Sequence, residues 1–134
     1  MPARLTQLQL DVMHVLWDRG ESTVAEVQEE LAPERNLAYS TVSTVLSRLE
    51  ERGQVAHRTE GRTYVYRAKV SEEKVGRSMM GDLVGRVFGS PSELVSQLLD
   101  SEHVDADELG RIKELIEQHE AAQQPSRRKK RHDR

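Results

Sequence analysis

The chain contains no cysteine. That excludes disulfide frameworks, thiolate metal sites and cysteine nucleophiles, and it fits a reducing compartment, so a cytoplasmic location is expected. Aromatic residues make up only 4% of the sequence, too few to build a large β core. No apolar run approaches the roughly 18 residues that a membrane span needs, and nothing after Met1 resembles a signal-peptide core. His14, His57, His103, His119 and His132 include no pair at metal-ligand spacing and read as surface residues. Asp105 and Asp107 read as a helix start, not as an acid/base pair. No glycine-rich phosphate loop is present: Gly81, Gly85 and Gly89 lie four apart in a helical stretch, where they permit close packing or weaken the helix. With 134 residues, a deep catalytic cleft would be unusual. No enzyme activity, metal or cofactor is expected.

What the chain does have is charge, at 32% of its residues, and the charge is segregated. Residues 1–34 carry a net charge of −5, residues 35–70 of +4, residues 71–122 of −7 and residues 123–134 of +5. A basic zone inside an acidic chain is a candidate surface for a polyanion.

The apolar spacing says what carries that zone. Leu5, Leu8, Val12, Val15 and Leu16 form one helical stripe, ended at Gly20. Thr23 and Glu26 have the spacing of a capping box that opens a second helix, with Val24, Val27 and Leu31 inward and Pro33 beyond its end. A third helix is expected from about Ala38 to Arg52, with Val42, Val45, Leu46 and Leu49 inward. Its other face is Ser40, Ser43, Thr44 and Ser47, flanked by Thr41 and Arg48. Hydroxyl residues are poor helix material on a solvated surface, but they let a helix backbone approach another surface closely. Two β-prone runs, 54–59 and 62–67, then flank Glu60-Gly61 and predict a hairpin whose tip is bracketed by Arg58 and Arg62. Tyr64 and Tyr66 share one strand face and read as core packing.

From Ser71 a further helix is expected to about Phe88, with Val75, Met79, Leu83 and Val87 on its stripe, broken at Gly89-Ser90-Pro91. Leu94, Val95, Leu98 and Leu99 mark a short helix, and Leu109, Ile112, Leu115 and Ile116 a last one capped from Asp105. Three short helices expose more apolar face than they can bury among themselves. Pairing with a second copy through Val75, Met79, Leu83, Val87, Leu94, Leu98, Leu109, Ile112 and Ile116 is the simplest remedy; packing against the first domain is the alternative. Residues 123–134, with five consecutive Arg and Lys from Arg127, read as a disordered basic tail.

The expected fold class is mainly α with a small β-hairpin wing. It comprises a winged helix-turn-helix domain over residues 1–70 and a C-terminal three-helix dimerisation region over residues 71–122. In that layout the third helix fits the major groove of double-stranded DNA and the wing lies alongside. Ser40, Ser43, Thr44 and Ser47 suit base edges. Thr41, Arg48, Arg58 and Arg62 suit phosphates, and Tyr39 starts the helix near one. A protein-interaction module without specific DNA binding is the alternative, given the acidic flanking segments.

The run from Leu5 to Trp17, Thr23-Val-Ala-Glu-Val27, Leu37-Ala-Tyr-Ser-Thr-Val42, Val45-Leu-Ser-Arg-Leu49 and Gly53 closely resembles the penicillinase-repressor family, BlaI/MecI, over roughly residues 3–120. The resemblance implies a cytoplasmic homodimeric repressor that binds inverted repeats with TACA/TGTA-like half-sites. It assigns Thr41 and Arg48 to phosphates and Ser40, Ser43 and Thr44 to bases. It also implies inactivation by cleavage in the dimerisation region, triggered by a membrane zinc-metalloprotease sensor. Where well-known members are cut at an Asn–Phe bond, this chain has Gln97-Leu98. Copper-responsive relatives carry C-terminal cysteines, which are absent here.

Overall fold

A computed structural model describes residues 5–132, with side chains through residue 123. It divides into two compact units, Met1–Asp82 and Leu83–Arg134.

The first unit is built on three helices, α1 (Gln7–Arg19), α2 (Val24–Leu31) and α3 (Tyr39–Glu51). Local chemistry sets their starts. The Thr6 hydroxyl accepts from the Gln9 amide at 3.1 Å, and the Gln9 side chain accepts from the Thr6 amide at 3.0 Å. Thr23 and Glu26 repeat the arrangement on α2, at 3.1 and 2.9 Å. Each box satisfies two amides that a helix start otherwise leaves unpaired. The Thr23 amide lowers the Glu26 carboxyl below the ordinary glutamate range, with Arg19 adding to the effect. We expect Thr23→Ala to cost about 1 kcal/mol, read as a lower urea midpoint at unchanged slope.

Val12, Met13, Val15 and Leu16 of α1, Val24, Val27 and Leu31 of α2, and Val42, Leu46 and Leu49 of α3 form one buried cluster, closed by Val55 and Tyr66. The connector between α2 and α3 is pinned twice. The Gln28 side-chain amide donates to the Leu37 carbonyl at 2.9 Å, and Arg35 pairs with Asp11 at 2.9 Å. These pins fix how α3 is presented.

Strands β2 (Val55–Glu60) and β3 (Thr63–Ala68) form the expected hairpin, with Glu60 opposite Thr63 and His57 opposite Tyr66. The two-residue turn places Gly61 at φ 65°, a value that disfavours any side chain at its first position. The sheet nonetheless has three strands, in order β1-β3-β2. Strand β1 is only Ser22–Thr23, paired with Tyr66 and Val65. Two residues carry no readable alternation, so this strand is invisible to periodicity.

The helix expected to run to Phe88 is α4 (Glu72–Asp82) followed by one stretch of π-helix, Leu83–Phe88. Helix α4 falls in the first unit, so the division comes after residue 82 and not after residue 70. The Trp17 indole donates to the Val70 carbonyl at 2.9 Å, and His14 lies 3.7 Å from the Glu72 carboxylate. Val75, placed by sequence on the dimerisation face, is 4% exposed within the single chain.

The second unit continues with α5 (Pro91–Asp100), capped by the Ser90 hydroxyl, and α6 (Ala106–His132), capped by Asp105, which accepts from the Glu108 amide at 2.8 Å. Helix α6 continues to His132, through the segment from residue 123 that composition reads as a disordered tail. Among the described residues no side chain of this unit is buried. Leu83, Val87, Leu98, Leu99, Leu115 and Ile116 are exposed, Val87 by 65% and Leu115 by 64%.

Candidate nucleic-acid interface

Helix α3 has two sharply different faces. Val42, Leu46 and Leu49 are fully buried. On the outer side Ser40, Thr41, Thr44, Ser47 and Arg48 are exposed, Ser43 is half-buried and Tyr39 stands 55% exposed at the helix start. The expected hydroxyl face is thus brought together on one helix and left open. Ala38 supplies no side-chain cap, so the first amides of α3 remain available beside Thr41.

Two shallow hollows border this face. One, of about 600 Å³, is lined by Ser43, Thr44, Ser47 and Arg48 together with Gln9, Glu51 and Arg52. The other, of about 410 Å³, is lined by Ser40, Thr41, Thr44 and Arg48 together with Thr6 and Gln9. The start of α1 therefore borders the same surface. The Thr6–Gln9 spacing of a capping box was the sequence signal that could have found it.

The arginines divide. Arg48 and Arg62 are exposed, and among the described residues neither has a carboxylate within ion-pairing distance. Arg58 does not stand free: it pairs with Glu21 at 3.0 Å and Glu60 at 3.1 Å. Hydrogen bonding to Glu21 first, and then to Glu60, raises its already high pKa. Strand alternation also puts Arg58 on the face opposite His57 and Tyr66. Spacing along the chain bracketed the turn correctly but could not reveal which ribbon face Arg58 takes.

The ribbon's inner face carries a cluster that composition did not suggest. Tyr66 is buried, and burial pushes its phenol up; the Glu50 carboxylate adds to the rise and the Ser47 hydroxyl opposes it. Tyr64, read as core, is instead 48% exposed. His57, read as a surface residue, is half-buried, with its Nδ1 2.8 Å from both Glu50 oxygens.

A buried three-helix core, a hydroxyl-faced third helix and a ribbon beside it define a winged-helix nucleic-acid-binding protein. The sequence profile of the family described as Penicillinase repressor matches residues 5–118, and the chain belongs to that family of DNA-binding transcriptional repressors. It is 33% identical over 119 residues to the transcriptional regulator BlaI of Mycobacterium tuberculosis, spanning 88% of this chain and 86% of that one. It is 25% identical over 117 residues to the penicillinase repressor of Bacillus licheniformis, spanning 87% and 91%. The fold is shared with a transcriptional regulator of Thermotoga maritima, at TM-score 0.50 and 17% identity over 90% of this chain and 78% of that one. No helix among the described residues is long and apolar enough to cross a membrane.

Proposed function

We propose that the protein represses transcription as a cytoplasmic homodimer that places one α3 in each half of an inverted-repeat operator with TACA/TGTA-like half-sites. The open hydroxyl face of α3, opposite a fully buried apolar stripe, is the observation that carries this reading. Ser40, Ser43, Thr44 and Ser47 meet base edges, where short hydroxyls donate and accept and the Thr44 methyl can touch a thymine methyl. Thr41, Tyr39, Arg48 and Arg62 take phosphates, which fix register and supply the salt-sensitive part of the affinity. Arg58 reaches a phosphate by exchanging its exposed pairs with Glu21 and Glu60, which are weak on a solvated surface.

The exposed leucines, valines and isoleucine of the second unit support dimerisation through it. Release by a membrane zinc-metalloprotease sensor acting at Gln97–Leu98 belongs to the same reading. Both residues are exposed on α5. That helix has only 10 residues, too short to be stable in isolation, so it can unwind into a protease cleft.

Band-shift titration against an inverted TACA/TGTA repeat and a random duplex, each over a range of salt, tests the DNA contacts. Arg48→Ala is expected to weaken both complexes and to reduce the salt slope by about one. Thr44→Ala is expected to cost about 1–3 kcal/mol on the repeat while leaving the random duplex unaffected. Equal losses on both duplexes from Thr44→Ala would remove base reading by that residue. Absence of any repeat-specific complex would favour a protein-interaction module.

A further inference from the structure

Of the three rings on the inner face of the ribbon, only that of Tyr66 belongs to the core. His57 and Tyr64 stack at 4.0 Å between centroids with their planes 14° apart. Tyr66 lies 5.5 Å from His57 and 6.2 Å from Tyr64, tilted to both. Only Tyr66 is buried. Tyr64 sits two residues nearer the turn than Tyr66 on the same face, and two residues after the exposed Arg62. Among the described residues its hydroxyl has no hydrogen-bond partner. An exposed phenol with a free hydroxyl, held flat against another ring, is a donor oriented before any ligand arrives. The rotamer entropy of fixing it is already spent within the fold.

Behind it, His57 is fixed in turn. With its proton on Nδ1 the ring donates to the Glu50 carboxylate, which lies on α3 itself.

We propose that Tyr64 is a further DNA-contacting residue, donating its phenol hydrogen to a backbone phosphate beside the groove that α3 enters, with His57 and Glu50 as positioning residues. The inference rests on the α3 docking proposed above. It assigns to the wing a neutral donor in addition to the charge of Arg62. A neutral donor releases no counterion, so its contribution is independent of salt, unlike that of an arginine.

The test uses the full chain, with the inverted TACA/TGTA repeat and the random duplex as probes. Tyr64→Phe keeps the ring stack and removes only the hydroxyl. It is expected to lose about tenfold in affinity on both duplexes, the usual effect of one hydrogen bond to a charged group, with the salt slope unchanged. Unaltered binding by Tyr64→Phe, alongside weakened binding by Arg48→Ala, would overturn the assignment while leaving the α3 docking intact. Unaltered binding by both would sink the docking and this inference together. A loss confined to the repeat would mean a base contact and overturn the phosphate assignment.

The positioning role is read separately. His57→Phe retains a flat ring beneath Tyr64 and is expected to bind more tightly than His57→Ala. Tyr64→Phe should then cost less in the His57→Ala background than in the unsubstituted chain. Equal binding by His57→Phe and His57→Ala, or an undiminished Tyr64→Phe effect, would remove His57 from that role. Thermal unfolding of each variant separates these outcomes from loss of fold.

Discussion

The full chain carrying Leu115→Asp and Ile116→Asp together is expected to bind an inverted-repeat duplex on the order of 10²–10⁴-fold more weakly, while binding to a single half-site is nearly unchanged. Two linked winged units convert the second half-site encounter into an intramolecular event, and that gain disappears when the link is cut. Leu115 is 64% and Ile116 51% exposed, so neither substitution empties a core within one chain. Each would, however, put a carboxylate into the apolar face proposed to join two copies, where an unpaired charge is strongly disfavoured. Sedimentation equilibrium should show the dimer giving way to monomer in the same variant. A dimer that persists with full operator affinity would move the interface off α6. A monomer with full affinity would remove dimerisation from the mechanism.

The same exposed face explains which parts of the molecule were readable in the sequence. Helices α1 to α3 bury their stripes within one chain, so spacing alone identified Val12, Val27, Val42, Leu46 and Leu49 as inward. The hydroxyl face was legible for the complementary reason: a stripe of Ser and Thr opposite those positions has no role in the core. Val75 is buried within the single chain, and an apolar residue on a helical stripe signals burial without saying by what. Strand β1 failed because two residues have no period, and the helix-to-π change at Leu83 because the apolar spacing runs on across it. The pairing of Arg58 with Glu21 joins elements far apart in sequence, and the stacking of Tyr64 on His57 is set by the pairing of the two hairpin strands. Strand register decides them, and composition holds no trace of it.

Leu46→Ala is expected to destabilise the first unit by about 2–5 kcal/mol, the range for removing a buried leucine side chain from a packed core. Leu46 is wholly inaccessible and packs in the cluster that joins α1, α2 and α3. A small domain is stable by only about 5–15 kcal/mol in total, so the loss is a large fraction, and the unfolding temperature should fall by at least roughly 8 °C. Thr44, on the opposite face of the same helix, is exposed, and Thr44→Ala should move stability by no more than about 0.5 kcal/mol. The two substitutions therefore separate folding from recognition within a single helix. Leu46→Ala should lose binding to every duplex together, and only as the temperature approaches its lowered unfolding midpoint. Thr44→Ala should lose preference for the repeat at all temperatures while its melting curve stays in place. A Leu46→Ala protein that melts with the unsubstituted chain would mean that α3 is not anchored through this stripe. The outward face could then no longer be assigned to a groove, because the side that the core holds would not be the one opposite Ser43 and Thr44.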